Sequence, residues 1–506
     1  MPGITGTGNA TGATLLDRLV ALRQRPPPPQ GKVSNESFFY PRGHIEALLT
    51  EGDVARVIAD GRDLLSEADK PPLTDDQIRH YAKRICQAES GYHRVFAVLL
   101  LLNRGWEVVR FVDEGICDAE LPLHTAFVNG PTAPPKLRRQ SDTETDLACL
   151  RTWVPLDHEK FDQEQWAMVA PFFAHGGKRR GAKLYNLENK DILPWIEKQH
   201  AVRKGAYGEI SKVKIHPRHH SFKVGGRRID WFAVKHFNRA AHHGSHQADS
   251  RGNGTMSQLG PLGTSGGSTP EFGDEIESLN RFSGDAHPHL ISLQAAVHHG
   301  DQYFVILPWA ECDLKEMWAK EGPRDPLDKD SLVWVLKQCI GIADGLRNMH
   351  EYQPDDGEDA IYGRHTDIKP SNILLFRDPD DAHDRGRLVI ADFGHTRFHS
   401  DDTKTYWTDK HVETTPTYRP PECSMPGHKR KISRSFDIWP LGCVLLEFAA
   451  WYLGGRNLVR DFVKDRQKPD PFCFGFISDQ FFEQFPADGC ASGPSYLRVK
   501  KEVHEV

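Results

Sequence analysis

Paired cysteines are missing from this sequence of 506 residues, and so is any broad basic field. The nine cysteines are spread singly, without a C-x-x-C pair. This pattern argues against a zinc ribbon or a disulfide framework and favours a reducing compartment. A formal net charge of −6 gives no reason to expect nucleic acid as a partner.

A long apolar run is also lacking. The run at Val95–Leu102 is far too short to cross a bilayer. The first residues, Met1–Ala13, are rich in glycine and threonine and do not resemble a secretory signal. These absences predict an intracellular protein without a membrane partner, located in the cytoplasm with the nucleus left open.

Composition and periodicity divide the chain into three parts. Residues 1–35 carry no apolar period and are predicted to be disordered. Residues 36–190 show helical spacing, including a capping-box helix start at Thr74–Gln77, and are predicted to be a regulatory or partner-binding helical region. Residues 194–495 begin with strands and continue with helices. The His-, Gly- and Ser-rich stretch 238–272 is predicted to be a disordered insertion in this third part.

The segment Asp367–Asn372 carries the strongest chemical pattern. Phosphoryl transfer needs a carboxylate to orient the attacking hydroxyl, a cation near the moving phosphate and oxygen ligands for magnesium. Asp367, Lys369 and Asn372 supply these in order, with the aspartate and the asparagine five residues apart. The spacing predicts a phosphoryl-transfer loop.

A second motif follows in the expected order. Asp392-Phe393-Gly394 comes twenty residues after Asn372 and directly follows an apolar strand at Leu388–Ala391. A carboxylate at the end of a strand suits a magnesium ion that bridges phosphates. Asp392 is therefore the second predicted metal ligand.

A lysine on a predicted strand precedes both motifs. Phe232-Ala233-Val234-Lys235 places Lys235 where its cation could pair with phosphates, and a carboxylate is needed to direct its flexible stem. Glu275 is the candidate, with Glu277 as the alternative. Leu279 and Phe282 share the helical face of Glu275 and would turn it inward.

The turn between the first two predicted strands is rich in glycine. Gly205 and Gly208 would let backbone N–H groups approach phosphate, but Arg203 stands where a third glycine would be expected. By itself this spacing indicates only a hairpin.

Taken together, these motifs in residues 194–485 resemble a eukaryotic protein kinase domain of the Ser/Thr type. The resemblance implies an α+β, bilobal fold, ATP and Mg²⁺ as cofactors, and a protein substrate with a Ser or Thr acceptor. It implies catalytic roles for Asp367, Lys369, Lys235 and Glu275, and metal ligation by Asn372 and Asp392. Leu307, in a strand that leads into a Pro-Trp-Ala hinge, resembles the gatekeeper. The nucleotide contacts implied by the resemblance are Val202, Gly205, Gly208, Ile210, Ala233, Lys235, Leu307, Trp309, Ala310 and Leu374. With its helical upstream region, the chain is similar to kinases of filamentous fungi.

Besides Arg203, the sequence departs from the family pattern in two places. Thr366 stands where the family has an arginine that binds an activation-segment phosphate, which predicts that this switch is absent. Only 84 residues follow Glu422, whose expected arginine partner cannot be placed, Arg498 being a poor candidate. Glu422 would then be a buried charge without a partner, which would destabilise the lobe. The large lobe is therefore expected to be truncated or closed differently. A pseudokinase that acts as a scaffold is the alternative to an active enzyme.

Overall fold

The structure, a computed structural model, describes residues 13–29, 31, 36–65, 72–87, 91–127, 135–176, 182–205, 208–224, 226–237, 270–281, 287–320, 322, 328–351, 362–378, 380–381, 383–399, 415–424, 434–470, 475–486 and 495–505. The helices in this part are α1 (Leu15–Ala21), α2 (His44–Leu48), α3 (Glu51–Asp60), α4 (Asp75–Cys86), α5 (His93–Leu101), α6 (Val108–Glu114), α7 (Pro155–Met168), α8 (Pro270–Arg281), α9 (Leu314–Lys320), α10 (Lys329–His350), α11 (Ser435–Arg466) and α12 (Lys501–His504). The strands are β1 (His124–Ala126), β2 (Lys136–Arg138), β3 (Lys183–Leu187), β4 (Trp195–Gly205), β5 (Gly208–Ile215), β6 (Lys223–Val224), β7 (Arg227–Arg228), β8 (Trp231–Phe237), β9 (Ala295–His299), β10 (Gln302–Pro308), β11 (Cys312–Asp313), β12 (Tyr362–Arg364), β13 (Ile373–Phe376), β14 (Arg387–Ile390), β15 (Arg397–His399), β16 (Lys468–Pro469), β17 (Ile477–Ser478), β18 (Phe482–Pro486) and β19 (Ser495–Val499).

Helices α1 to α7 surround one apolar core, which we call the helical-region core. α5 lies at its centre, and the residues Val95–Leu100 are all buried because neighbouring helices cover every side of it. α4 begins as predicted, since Thr74 accepts from the Gln77 backbone N–H and Gln77 bonds back to Thr74.

The prediction of disorder for residues 1–35 is wrong for part of that stretch. α1 lies within it, capped by Thr14 and Asp17, and buries Leu15 and Leu19 in the helical-region core. The two leucines are four residues apart and therefore share one face of a single short helix. This pattern is short, and it directly follows a stretch rich in glycine and threonine. Residues 1–12 lie outside the described part.

The third part of the chain begins with a six-stranded sheet of order β3-β9-β10-β8-β5-β4, which forms the small lobe. β3 pairs parallel to β9, although residues 183–187 fall within the stretch expected to belong to the helical region. The boundary at 190 is thus several residues too late. Most of the predicted insertion lies outside the described residues, but its last residues begin α8 instead.

Alternation along β8 separates the two faces of this sheet. Phe232 and Val234 are buried in the small-lobe core, with Phe173, Trp195 and Phe304. Ala233 and Lys235 therefore point to the opposite face, toward the large lobe. β10 pairs antiparallel with β8, and Leu307 lies opposite Ala233.

The helical region joins the small lobe around His219, in the loop after β5. The His219 ring accepts from the Arg42 backbone N–H at 3.2 Å through Nε2 and donates to the Pro171 carbonyl at 3.0 Å through Nδ1. Phe39, fully buried, packs edge-on against the same ring. The segment around Phe173 also pairs with the backbone of His219 and Ser221.

The large lobe is built on α9, α10 and α11, with the three-stranded sheet β11-β13-β14 at its upper edge. By length and composition alone, α11 could cross a membrane. However, 56 % of its most apolar stretch is buried inside the protein, as expected of a core helix. Left-handed Gly455 divides it into two helical segments.

The large lobe is closed by a hairpin and a short helix. Phe481, at the start of the β18–β19 hairpin, and Val503 of α12 pack with Cys443, Ala450 and Phe462 of α11. The expectation of a buried Glu422 is wrong, because Glu422 is exposed and lies outside this core. Arg498 pairs instead with Glu483 across the hairpin.

Candidate active site

The segment Asp367–Asn372 folds into a tight hydrogen-bonded loop. Lys369 Nζ lies 2.6 Å from Asp367 Oδ2, and Asn372 Nδ2 donates to Asp367 Oδ2 at 3.1 Å. Thr415 donates to Asp367 Oδ1 at 3.0 Å and accepts from Lys369 at 3.0 Å. The three residues that the motif predicts are brought together, and Thr415 joins them.

Asp437, at the start of α11, holds this loop from below. Its carboxylate is fully buried and accepts the backbone N–H groups of His365 at 2.8 Å and Thr366 at 2.7 Å. His350 Nε2–H donates to the same carboxylate at 2.9 Å. Thr366 has a φ of +67°, a conformation that β-branched residues rarely adopt. Local strain at Thr366 is tolerated because Asp437 binds the N–H groups of Thr366 and of the preceding His365.

Lys235 from the small lobe meets Asp392 from the large lobe. Their side chains approach to 3.2 Å, and the Lys235 side chain is only 11 % exposed while that of Asp392 is 40 % exposed. Asp392 also has a left-handed φ of +67°. The neighbouring Phe393 is fully buried and packs edge-on against His365, which fixes the turn that carries Asp392.

Helix α8 carries Glu275, as predicted, and packs against the turn that follows Asp392. Leu279 is buried in the large-lobe core and Ile276 packs against that core. The side chains of Glu275 and Glu277 and the whole of Phe282 lie outside the described part. The pairing of Lys235 with Glu275 therefore stays a prediction.

The glycine-rich turn connects β4 and β5 in register, with Gly205 opposite Gly208. Gly208 has a φ of +145°, and a Cβ there would lie 2.0 Å from the His236 carbonyl oxygen. Glycine is required at this position by the adjacent strand, whatever binds in the cleft. Val202 of β4 is exposed, and Ile210 of β5 lies opposite Lys235 of β8.

The side chains expected to contact adenine lie at the junction of the lobes. Ala233 and Leu307 are directly paired, and both are half-buried. Trp309 and Ala310 follow β10 and are also half-buried, while Leu374 contributes from β13 on the large lobe. Ala233 and Leu307, which lie directly opposite each other, thus place their side chains on the same face of the small-lobe sheet.

The metal ligands predicted from sequence fit a magnesium ion chemically. The Asn372 amide nitrogen faces two oxygens of Asp367, which leaves its Oδ1 as the free acceptor. The Ala391 N–H donates to the Asn372 carbonyl, so that Asn372 and Asp392 are adjacent. No cluster of three or more His, Cys, Asp or Glu suited to a metal occurs among the described residues. Magnesium commonly needs only one or two protein ligands beside phosphate and water.

Sequence reasoning missed the partners that hold the site. Asp437 was not among the predicted site residues, although it contacts the loop about 70 residues earlier in the chain. Inside the large lobe, Glu447 and Arg466 form a buried ion pair at 2.7 Å, which was not predicted from the sequence. The available signal was the presence of two charged residues, Asp437 and Glu447, in the part of α11 before Gly455, which is otherwise without charge.

Comparison with known proteins agrees with this geometry. The sequence model of the protein kinase domain matches residues 265–454. The match includes α8, β9, β10 and the large lobe as far as the kink in α11. Strands β4, β5 and β8 precede it, and the β18–β19 hairpin follows it.

Curated relatives resemble about a third of the chain. One is a probable leucine-rich repeat receptor-like serine/threonine-protein kinase of Arabidopsis thaliana, 28 % identical over 181 residues, which are 35 % of this chain and 15 % of that protein. Others are cyclin-dependent kinase 2 of Caenorhabditis elegans, 26 % identical over 168 residues (32 % of this chain, 38 % of that protein), and cyclin-dependent kinase 8 of Drosophila melanogaster, 28 % identical over 166 residues (32 % and 34 %). The chain therefore spans well under half the length of each of these relatives.

Proposed function

Because residues 265–454 match the protein kinase domain, we propose that this chain transfers phosphate from Mg-ATP to serine or threonine hydroxyls of protein substrates. The observation that carries the proposal is the contact between Lys235 and Asp392. These residues are 157 positions apart, come from different lobes, and lie within 3.2 Å of each other beside the Asp367 loop.

Each side chain has a role that follows from its position. Lys235 would bind phosphate oxygens, and Asp392 with the Asn372 Oδ1 would ligate magnesium. Asp367 would orient the acceptor hydroxyl and take its proton as the oxygen–phosphorus bond forms, while Lys369 would balance the charge. Bound Mg-ATP supplies the phosphate and the leaving group.

The choice of serine or threonine as acceptor rests on two supports. Lys369 and Thr415, which accompany Ser/Thr acceptors in the family that the sequence resembles, contact each other at 3.0 Å. The Arabidopsis relative is also named as a serine/threonine-protein kinase.

The alternative is a pseudokinase that binds nucleotide without turnover. Arg203 in the glycine-rich turn and the strained Thr366 favour it. The presence of Lys235, Asp367 and Asp392 together opposes it, because each supplies a separate part of the chemistry.

The deciding experiment is phosphate incorporation by the full chain, measured for the parent protein, for Asp392→Ala and for a control variant. Asp380→Ala is the matched control, because Asp380 is exposed at the turn between β13 and β14, away from the cleft. We expect label in the parent and in Asp380→Ala and at least a hundredfold loss in Asp392→Ala, the scale of losing a major catalytic contribution. Equal label in Asp392→Ala would refute the assignment. A Mg-ATP thermal shift without label in the parent would establish the pseudokinase instead.

A further inference from the structure

The loop Thr415–Tyr418 is tied to the last described part of the chain. Thr415 is the residue that contacts Asp367 and Lys369. Two residues later, the Thr417 hydroxyl lies 2.8 and 2.9 Å from the two carboxylate oxygens of Asp479. One residue further, the Tyr418 hydroxyl donates to Glu447 Oε2 at 2.8 Å. We call Thr415–Tyr418 the acceptor-side loop.

Two buried cations bind the backbone at and beside Asp479. Arg466 Nε donates to the Asp479 carbonyl at 3.2 Å, and Lys500 Nζ donates to the neighbouring Ser478 carbonyl at 2.9 Å. Arg466 is fully buried, and its guanidinium lies 3.9 Å from the centre of the Phe481 ring. The backbone that presents the Asp479 carboxylate is therefore fixed on its inner side.

The same cation joins both attachments of the loop. Arg466 Nη2 lies 2.7 Å from Glu447 Oε1, and the other oxygen of Glu447 accepts from Tyr418. Thr417 and Tyr418 thus reach Arg466 by separate routes, one through Asp479 and one through Glu447. Arg466, Asp479 and Lys500 all lie outside the segment that matches the kinase domain.

We propose that Asp479 is a positioning residue, which fixes the acceptor-side loop and through Thr415 sets the orientation of Asp367 and Lys369. This inference rests on the proposed function, because orientation of Asp367 matters only if a hydroxyl is to be phosphorylated there. Asp479 acts through a series of contacts. Arg466 binds its carbonyl, and its carboxylate binds the Thr417 hydroxyl of the acceptor-side loop. It does not touch the reacting atoms.

The test compares Asp479→Ala, Thr417→Val and their double variant in the full chain, with Glu483→Gln as the matched control. Glu483 is an acid on the adjacent hairpin whose only described ion pair is with the exposed Arg498. We expect kcat/KM for a Ser/Thr peptide to fall about tenfold in each single variant, which equals about 1.4 kcal/mol of transition-state stabilisation. The KM for ATP should stay unchanged, since the nucleotide side of the cleft is untouched.

The double variant decides whether the two residues act together. If Asp479 works through Thr417, the double variant should lose no more than either single variant. Asp479→Asn keeps one acceptor oxygen and should recover part of the rate. Additive losses, equal losses in Glu483→Gln, or a parallel rise in the KM for ATP would each overturn the proposal.

Hydrogen exchange separates this inference from the proposed function. Amide protection in residues 415–424 should fall in Asp479→Ala and Thr417→Val and stay unchanged in Glu483→Gln. Should the parent chain show no phosphorylation, the proposed function fails, and this exchange pattern still decides whether Asp479 orders the loop. Unchanged protection in Asp479→Ala would overturn the positioning role.

Discussion

Replacement of Asp437 by alanine should be among the most damaging changes in the large lobe. The carboxylate is fully buried and accepts three N–H groups, from His365, Thr366 and His350, at 2.7–2.9 Å. Leaving a buried donor unpaired costs about 1–3 kcal/mol, so the loss should be about 3–9 kcal/mol if no water enters. Domains of ordinary stability have about 5–15 kcal/mol in total. Asp437→Ala should therefore unfold the lobe or leave it marginal.

The assay is urea denaturation of the full chain, followed by the tryptophan signal of the large lobe. Asp461→Ala is the control, since Asp461 lies on the same helix but is half-exposed and contacts only the adjacent Arg460 in the ion pairs described. The control should change the free energy of unfolding by no more than about 0.5 kcal/mol. Asp437→Asn should be intermediate, because one oxygen remains while the amide group faces a donor. The reasoning fails if Asp437→Ala and Asp461→Ala have the same midpoint.

Three further outcomes follow from individual contacts. Gly208→Ala should destabilise the small lobe by about 1–3 kcal/mol, seen as a lower thermal midpoint, because the new Cβ collides with the His236 carbonyl at a strained φ; an unchanged midpoint would contradict it. Burial lowers the pKa of His220 to about 4, and both ring nitrogens are buried without a hydrogen-bond partner among the described residues. The folded protein therefore favours the neutral ring. Part of the free energy of unfolding that is present above about pH 6.5 should be lost as the pH falls toward 4. In thermal melts over a series of pH values, His220→Phe should show a smaller loss than the parent. Phe39→Ala should cost about 3–5 kcal/mol and expose the junction of the helical region and small lobe to limited proteolysis; resistance equal to that of the parent would refute it.

The elements best predicted from the sequence are those with a strong local pattern. β14 occupies Arg387–Ile390 and thus begins one residue earlier than the apolar strand predicted at Leu388–Ala391. The Thr74 capping box was also placed correctly, because a cap is a contact over three residues. The Asp367 loop has the same local character, and the structure brings its three residues together.

Contacts between distant segments were beyond prediction. Nothing near Thr417 in the sequence indicates that Asp479, 62 residues later, binds it. The burial of Glu422 was expected from the family pattern and not from the residues near it. This expectation was wrong because the chain closes its large lobe with the β18–β19 hairpin. The carboxylates of Asp437 and Glu447, in the apolar part of α11, indicate that each has a buried partner. They do not indicate which residues those partners are.

The joint at His219 makes the helical region a mechanical extension of the small lobe. Backbone and ring hydrogen bonds tie the two together at the sheet's rim, while the face that carries Lys235 remains directed at the large lobe. Any tilt of the small lobe over the cleft must therefore swing the whole helical body with it. Opening of only a few degrees at the cleft becomes a larger displacement in the parts of the helical region that lie farthest from His219.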